Sequence, residues 1–223
     1  MQLKIFKRGI SYHKLVSWYS GLIKKNSPAP PYIHVTQIGD PILRHVAEPV
    51  ATEILKTPEI QNIIACLKYT LKKYKSVGLS APQIGSAYRI CVVQFSKEHL
   101  NAYTQQEQKQ KEMYELPLMV LVNPELKITN FNTVTFPEAC ESIKGFWSNV
   151  PRFRAVEVKA FDENGEQINF KVNGWNARII QHEVDHLNGK LYTDIMDRKS
   201  LTCSCWQVVN ERRGKITLPY FPD

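Results

Sequence analysis

Residues 182–186 read His182-Glu183-Val184-Asp185-His186, an HExxH pattern, and no other stretch constrains the chain as much. Residues four apart share one face of a helix, so both imidazoles can reach a single cation. Glu183 lies between them, placed to take a proton from a water held by that cation. The alternative is a solvated helix with a chance spacing. The flanks carry helix signals of their own: Asn173 stands as N-cap and Gly189 as the left-handed residue just past the C-terminus. At about 100° per residue, Trp175, Ile179, His182 and His186 fall within roughly 60° of one another. The histidines therefore sit on an otherwise apolar, inward-facing stripe. A buried His pair needs a reason, and metal ligation is the most economical one.

Two imidazoles leave a tetrahedral site incomplete, because catalytic centres usually combine three protein ligands with an open position. Cys140 is the strongest candidate for the third. It lies in Phe136-Pro137-Glu138-Ala139-Cys140-Glu141-Ser142, after an expected strand, where a loop can present its thiolate. Taken alone, Cys140 reads more readily as a small buried hydrophobe. One soft thiolate beside two imidazoles is compatible with Fe(II) or Zn(II), with Ni(II) and Co(II) as alternatives.

A net charge of +8 invites a nucleic-acid reading, but its distribution argues against one. Residues 1–39 hold six bases (Lys4, Lys7, Arg8, Lys14, Lys24, Lys25) and no acid; the first acid is Asp40. The remaining 23 bases face 21 acids, a net of only +2, so no specific nucleic-acid partner is expected. The basic leader interspersed with Ile5, Phe6, Leu15, Val16, Trp18, Leu22 and Ile23 has the character of a mitochondrial transit peptide, although it is poor in Arg. A basic arm for RNA, ribosome or membrane surface is the competing reading. No run of 18 apolar residues occurs, so no transmembrane segment is expected. The five cysteines are odd in number and irregularly spaced, which fits a reducing compartment. Cys66 and Cys91 read as core residues, and Cys203-Ser204-Cys205 has no assignment.

Three parts follow: residues 1–31 as leader and Pro-rich linker, 32–200 as a metallohydrolase domain, and 201–223 as a tail. Thr57 as N-cap and Pro58 open a helix running to Tyr74. Strands are expected at Tyr88 to Phe95, Leu118 to Val122 and Thr133 to Phe136. The polar stretch from Asn101 to Glu115 reads as a solvated surface insertion. Val156 to Phe161 and Gln167 to Val172 alternate around Asn164-Gly165, which suggests a type I′ hairpin turn. The tail from Leu201 onward gives little regular signal. Strands outnumber helices and precede the motif helix, which indicates an α+β class.

HEVDH, the EACES segment and Gly78-Leu79-Ser80-Ala81-Pro82-Gln83 together resemble the peptide deformylases, of the eukaryotic mitochondrial type. That family carries a glycine-to-glutamine motif, an EGCxS motif and an HExDH motif in this order. Gly39-Asp40-Pro41-Ile42-Leu43-Arg44 is similar to the family's N-terminal segment, and the resemblance covers about residues 32–200. It implies an α+β fold with mixed or antiparallel sheets wrapped around a central HExxH-bearing helix. It implies that Cys140, His182 and His186 hold the metal, with which the family associates Fe(II), and that Glu183 is the general acid/base. Gln83 and the backbone N–H of Glu141 would stabilise the oxyanion formed on the formyl group. Gly78 matches the glycine that lets substrate backbone approach.

The implied substrate is an N-formylmethionyl nascent peptide, docked beside a strand and releasing formate in the mitochondrial matrix. The mitochondrial ribosome and its nascent chain stay open as a partner. A methionine pocket walled by Trp175, Ile179 and Val77 would give specificity, with ordinary core packing as the other reading of Trp175. Glu138 and Asp185 read either as braces joined to Arg152 or as surface ion pairs.

The chain departs from the family where Ala139 replaces the glycine of EGCxS; a positive φ there would strain alanine by about 1 kcal/mol. A deformylase-like protein without turnover is therefore one alternative. A zincin-like protease is another, although Asn188-Gly189-Lys190 lacks the extended HExxHxxGxxH ligand.

Overall fold

The computed structural model describes residues 28–222; the basic leader, apart from its prolines, lies outside the described residues. Five strands form an antiparallel meander: β1 Gly78–Ser80, β2 Ile90–Phe95, β3 Leu116–Ala139, β4 Phe146–Phe161 and β5 Gln167–Asn173. A sixth, β6 Thr202–Cys203, pairs with the start of β4 through Phe146↔Cys203 and Trp147↔Thr202. Helix α1, Pro58–Tyr74, and helix α4, Gly174–Leu187, are the two long helices. Short helices α2 (Lys97–Asn101), α3 (Gln105–Gln110) and α5 (Trp206–Glu211) complete the described residues. The α+β class is as the sequence implies.

Strand β2 shows why the two long helices lie on opposite sides of the sheet. Side chains alternate faces along a strand. Ile90 and Val92 therefore join a core with Ile60, Ile64, Leu67 and Leu71 of α1. Cys91, Val93 and Phe95 join a second core with Ala177, Ile180, Val184 and Leu187 of α4. A strand covered on both faces reads as an unbroken apolar run, as Ile-Cys-Val-Val does here. Full burial of each Leu or Ile contributes about 1.5–3 kcal/mol, so the first core holds α1 and the second holds α4 against the sheet.

Several local expectations change. The two predicted strands at Leu118–Val122 and Thr133–Phe136 are parts of one 24-residue strand, β3. Its pairing with β4 slips between Val122 and Glu125, between Ile128 and Asn130, and between Asn130 and Thr133. Such bulges bend a strand; burial still alternates from Pro124 to Asn130 and from Thr133 to Ala139, but Asn130-Phe131-Asn132 puts polar residues at the inward positions and so hides the period in the sequence. The hairpin between β4 and β5 exists, but its turn is not type I′. Only Gly165 has positive φ (+85°), and Gly165 N–H donates to Asp162 C=O at 3.1 Å. Asp162 Oδ1 accepts from the N–H groups of Asn164 and Glu166, which fixes a longer loop with Gly165 in the left-handed position. The polar stretch 101–115 is largely exposed, as expected, but it also carries a short helix, Gln105–Gln110, and one buried side chain, Met113. The tail supplies β6 and α5 and returns to the body, where Tyr220 C=O accepts from Tyr74 Oη at 2.8 Å.

Candidate active site

Helix α4 brings the motif side chains to the base of a cleft. Its C-terminus closes as expected at Gly189, whose φ is +68°. Lys190 N–H reaches Asp185 C=O at 2.9 Å and Gly189 N–H reaches His186 C=O at 3.1 Å, the paired bonds of a Schellman cap. A Cβ at Gly189 would strike the Arg44 carbonyl, so this end of the helix needs glycine. Asn173 does occupy the N-cap position, but its side chain makes no capping bond.

Cys140 follows the last residue of β3 and caps a 3-10 turn, Glu141–Ile143. Its Sγ lies 3.2 Å from His186 Nε2, and one ligand atom from each of Cys140, His182 and His186 falls within 4.8 Å of the others. The imidazole rings of His182 and His186 are 5.0 Å apart and steeply inclined to each other, at 74°. All three side chains are largely removed from solvent. Burial, with the charges of His182 and Arg152 nearby, drives the His186 pKa well below its ordinary value and keeps the ring neutral, as a metal ligand must be. A sulfur and two nitrogens at this spacing match a three-ligand catalytic centre with an open position.

A buried ionic cluster holds His182. Glu138 Oε2 lies 3.0 Å from His182 Nδ1, so Nε2 is the nitrogen left for a ligand role. Glu138 also accepts from Arg152 Nε (2.9 Å), Arg152 Nη2 (3.0 Å) and Arg178 Nη1 (2.7 Å). Arg152 in turn pairs with Asp185. Burial alone would raise the Glu138 pKa, but the hydrogen bonds from His182 and Arg152 outweigh it and hold the carboxyl far below the usual range. For His182 burial disfavours the cation, yet Cys140 and Glu138 win and raise its pKa well above normal. Arg152 and Arg178 face the carboxylates of Glu138 and Asp185, so each of these charges has an opposite partner, the condition under which buried charges are tolerated.

Glu183 is 4% exposed and its Oε2 has no hydrogen-bond partner among the described residues. Desolvation pushes its pKa up to about 7, within the range suited to proton exchange at neutral pH. Gly78, on β1, faces it: a Cβ there would overlap the Glu183 carboxylate. The close approach that Gly78 permits here is thus that of Glu183.

Gln83 sits in a 3-10 turn, Ala81–Ile84, and its amide is locked in orientation. Oε1 accepts from Ser80 N–H (2.9 Å) and Ser80 Oγ (3.0 Å), which turns Nε2 toward Cys140 Sγ (3.6 Å) and Ser142 Oγ (3.2 Å). The Glu141 carboxylate accepts from Lys144 Nζ at 3.1 Å; its N–H, the first of a 3-10 turn, has no acceptor within that turn.

A cleft of about 810 Å³ joins these groups, and Val77, Gly78, Gln83, Glu141, Trp175 and Ile179 all line it. Trp175 thus faces the cleft as well as packing against the core. Ala139 lines it too, in extended backbone at the end of β3 and without positive φ, so the expected strain does not arise. Sequence reasoning missed Tyr103 and Lys111, which come from the polar insertion, and Arg178. Arg178 alone left a signal, one turn before His182 on the same helical face.

The family model for polypeptide deformylase matches residues 32–201. The chain belongs to the polypeptide deformylase family. The human mitochondrial peptide deformylase is 42% identical over 184 residues, covering 82% of this chain and 76% of its own length. A crystal structure of a class I type b peptide deformylase from Acinetobacter baumannii with Met-Ala-Ser bound aligns with TM-score 0.65 and 28% identity, covering 74% of this chain and 98% of that one. The Thermotoga maritima peptide deformylase aligns with TM-score 0.62 and 27% identity, covering 76% and 99%. The enzyme is a deformylase of the eukaryotic mitochondrial type, a metal-dependent hydrolase that removes the formyl group from N-formyl peptides. Among the described residues no helix is long and apolar enough to cross a membrane.

Proposed function

We propose that this cleft deformylates N-formylmethionyl nascent peptides in the mitochondrial matrix, using Cys140, His182 and His186 to hold one Fe(II) or Zn(II). Residues 1–31 would serve as the import leader, 32–200 as the catalytic domain and 201–223 as a tail packed on it. The observation that carries the reading is the convergence of three ligand atoms within 4.8 Å, beside a buried Glu183 carboxylate and the Gln83 amide. The donor set fits such a cation, and the orphaned Glu183 Oε2 faces no protein donor.

A bound divalent cation supplies Lewis acidity that makes water nucleophilic at neutral pH and polarises the formyl oxygen. Glu183 takes the proton from the attacking water and returns it to the peptide nitrogen as the C–N bond breaks, giving formate and a free amine. Gln83 Nε2 and the Glu141 N–H donate to the oxygen that becomes negative, each worth about 3–4 kcal/mol in the transition state. Because Ser80 fixes the Gln83 amide beforehand, no reorganisation is needed at that moment.

The peptide runs beside the segment Lys75–Gly78, which lines the cleft where β1 begins, and its first side chain enters between Val77, Ile179 and Trp175. Formate release from formyl-Met-Ala-Ser by the full chain loaded anaerobically with Fe(II), and its loss in Glu183→Ala, is the test. Cleavage of internal peptide bonds instead would favour the zincin-like reading, and tight metal binding without turnover would favour an inactive relative.

A further inference from the structure

Cys203-Ser204-Cys205 is a motif that the deformylation chemistry leaves without a role. In the fold its two sulfurs face each other at 3.5 Å, at the turn that joins β6 to α5. Both side chains are half-buried, so a small solute can reach them. The other thiols are placed differently. Cys91 is fully buried, Cys66 Sγ donates to Tyr32 C=O at 2.9 Å, and Cys140 belongs to the ligand set.

The pair is linked to the cleft through backbone. Strand β6 lies on the start of β4, and Ser204 N–H donates to Gly145 C=O at 2.8 Å. Gly145, Phe146, Trp147 and Ser204 all line the cleft. Upstream of the pair, Ser200 Oγ accepts from Asn149 N–H at 2.8 Å and Asp197 N–H donates to Asn149 C=O at 2.9 Å, so the Cys203 side is anchored to β4. Downstream, α5 is six residues long and carries no buried side chain. The Cys205 side is the one free to move.

We propose that Cys203 and Cys205 form a reversible thiol–disulfide couple, oxidised by exchange with a low-molecular-weight disulfide, and that closing the bond reshapes the Gly145–Trp147 wall of the cleft and weakens peptide binding. One protein thiolate attacks a sulfur of the small disulfide, whose S–S bond breaks and releases one small thiolate. The other protein thiolate then attacks the protein sulfur of that mixed disulfide, which forms the Cys203–Cys205 bond and releases the second. The protein thiols lose two electrons and two protons; the small disulfide gains both and leaves as two thiols. The protein sulfurs must close from 3.5 Å to about 2.05 Å across a single intervening residue. That pulls on Ser204, whose N–H holds Gly145. A loop this short gains little from chain entropy, and a strained, accessible bond is readily reduced again.

The test equilibrates the full-length protein, loaded with redox-inert Zn(II), in reduced or oxidised glutathione. Free thiols are then alkylated and the mass of the tryptic peptide 200–212 is read; it holds Cys203, Cys205 and no other cysteine. Oxidised glutathione should leave this peptide unalkylated and two hydrogens lighter, and dithiothreitol should restore both thiols. Over the same change KM for formyl-Met-Ala-Ser should rise about two- to fivefold with kcat unchanged, the pattern of lost binding. The double variant Cys203→Ser, Cys205→Ser should keep the KM of the reduced wild type in both buffers. A peptide that stays a dithiol in oxidised glutathione, or that carries two glutathiones, overturns the couple. A disulfide that forms without changing KM, or a KM rise that persists in the double variant, overturns its hold on the cleft. Only the KM readout rests on the deformylase reading of the cleft: no formate from the reduced wild type would overturn that reading and the effect on binding, while the peptide mass still decides the couple.

Discussion

Glu138 Oε2 and His182 Nδ1 meet at 3.0 Å, and that contact joins a buried ion cluster to the ligand set. Through it, strand β3 fixes the rotation and tautomer of an imidazole on helix α4, 44 residues away in sequence. Glu138 itself is immobilised by Arg152 and Arg178, so the ring inherits the rigidity of the sheet.

Removing that carboxylate tests the brace. Glu138→Gln should weaken metal retention about 10–100-fold, the usual cost of losing a carboxylate behind a ligating histidine. It should also destabilise the fold by about 3–5 kcal/mol, because the charges of Arg152 and Arg178 lose their shared partner. Competition with a chelator measures the first effect and urea unfolding the second. Wild-type metal affinity in this variant would show that Glu138 merely fills space.

Burial raises the Glu183 pKa to about 7 in the fold, against an ordinary 4.5 for an unfolded chain. The folded protein therefore keeps this proton between pH 4.5 and 7 while the unfolded chain loses it. Its contribution is intact below pH 4.5 and declines as pH rises to 7, by on the order of 3 kcal/mol. Glu183→Gln cannot titrate there. In the metal-free proteins, the stability of wild type minus that of Glu183→Gln should fall across this window. Equal pH slopes for the two proteins would refute the assignment.

The methyl of Ala139 projects at the cleft wall from unstrained extended backbone. Ala139→Gly should widen the groove and lower KM for formyl-Met-Ala-Ser about two- to threefold. Glycine within a strand should also cost about 0.5–1 kcal/mol of stability. A higher KM in Ala139→Gly would mean that the methyl contacts the peptide productively.

Tyr192 is 1% exposed, its ring stacks on His182 at 6.4 Å, and its hydroxyl has no partner among the described residues. Burial and the nearby Cys140 and Glu138 push its pKa up to about 12, so it stays neutral. Tyr192→Phe keeps the ring and removes the orphan group, and should stabilise the metal-free protein by about 1 kcal/mol. A lowered Tm would show that the hydroxyl has a partner in solution.

How far the sequence could be read follows from the range over which each signal acts. The motif helix was legible because its ligand spacing, apolar stripe and terminal Gly189 all lie within 17 residues, and α1 was legible for the same reason. Strand β3 does not read as one element in the sequence, since Asn130 and Asn132 occupy inward-phase positions and Phe131 an outward one. The insertion looked merely solvated because α2 and α3 are too short to show a period, and their anchors are single residues such as Met113 and Tyr103. Arg178 escaped notice because its partners Val134, Glu138 and Val150 come from two other strands. The Asn-Gly pair marked the hairpin but not its geometry, because Asp162 captures the turn amides first.

Metal K-edge X-ray absorption on the anaerobically loaded full-length protein addresses the centre itself. One sulfur at about 2.3 Å and two imidazole nitrogens at about 2.0–2.1 Å are expected, with the sulfur shell lost in Cys140→Ser. A first shell of nitrogen and oxygen alone in the wild type would contradict the assembly of Cys140, His182 and His186 around one ion.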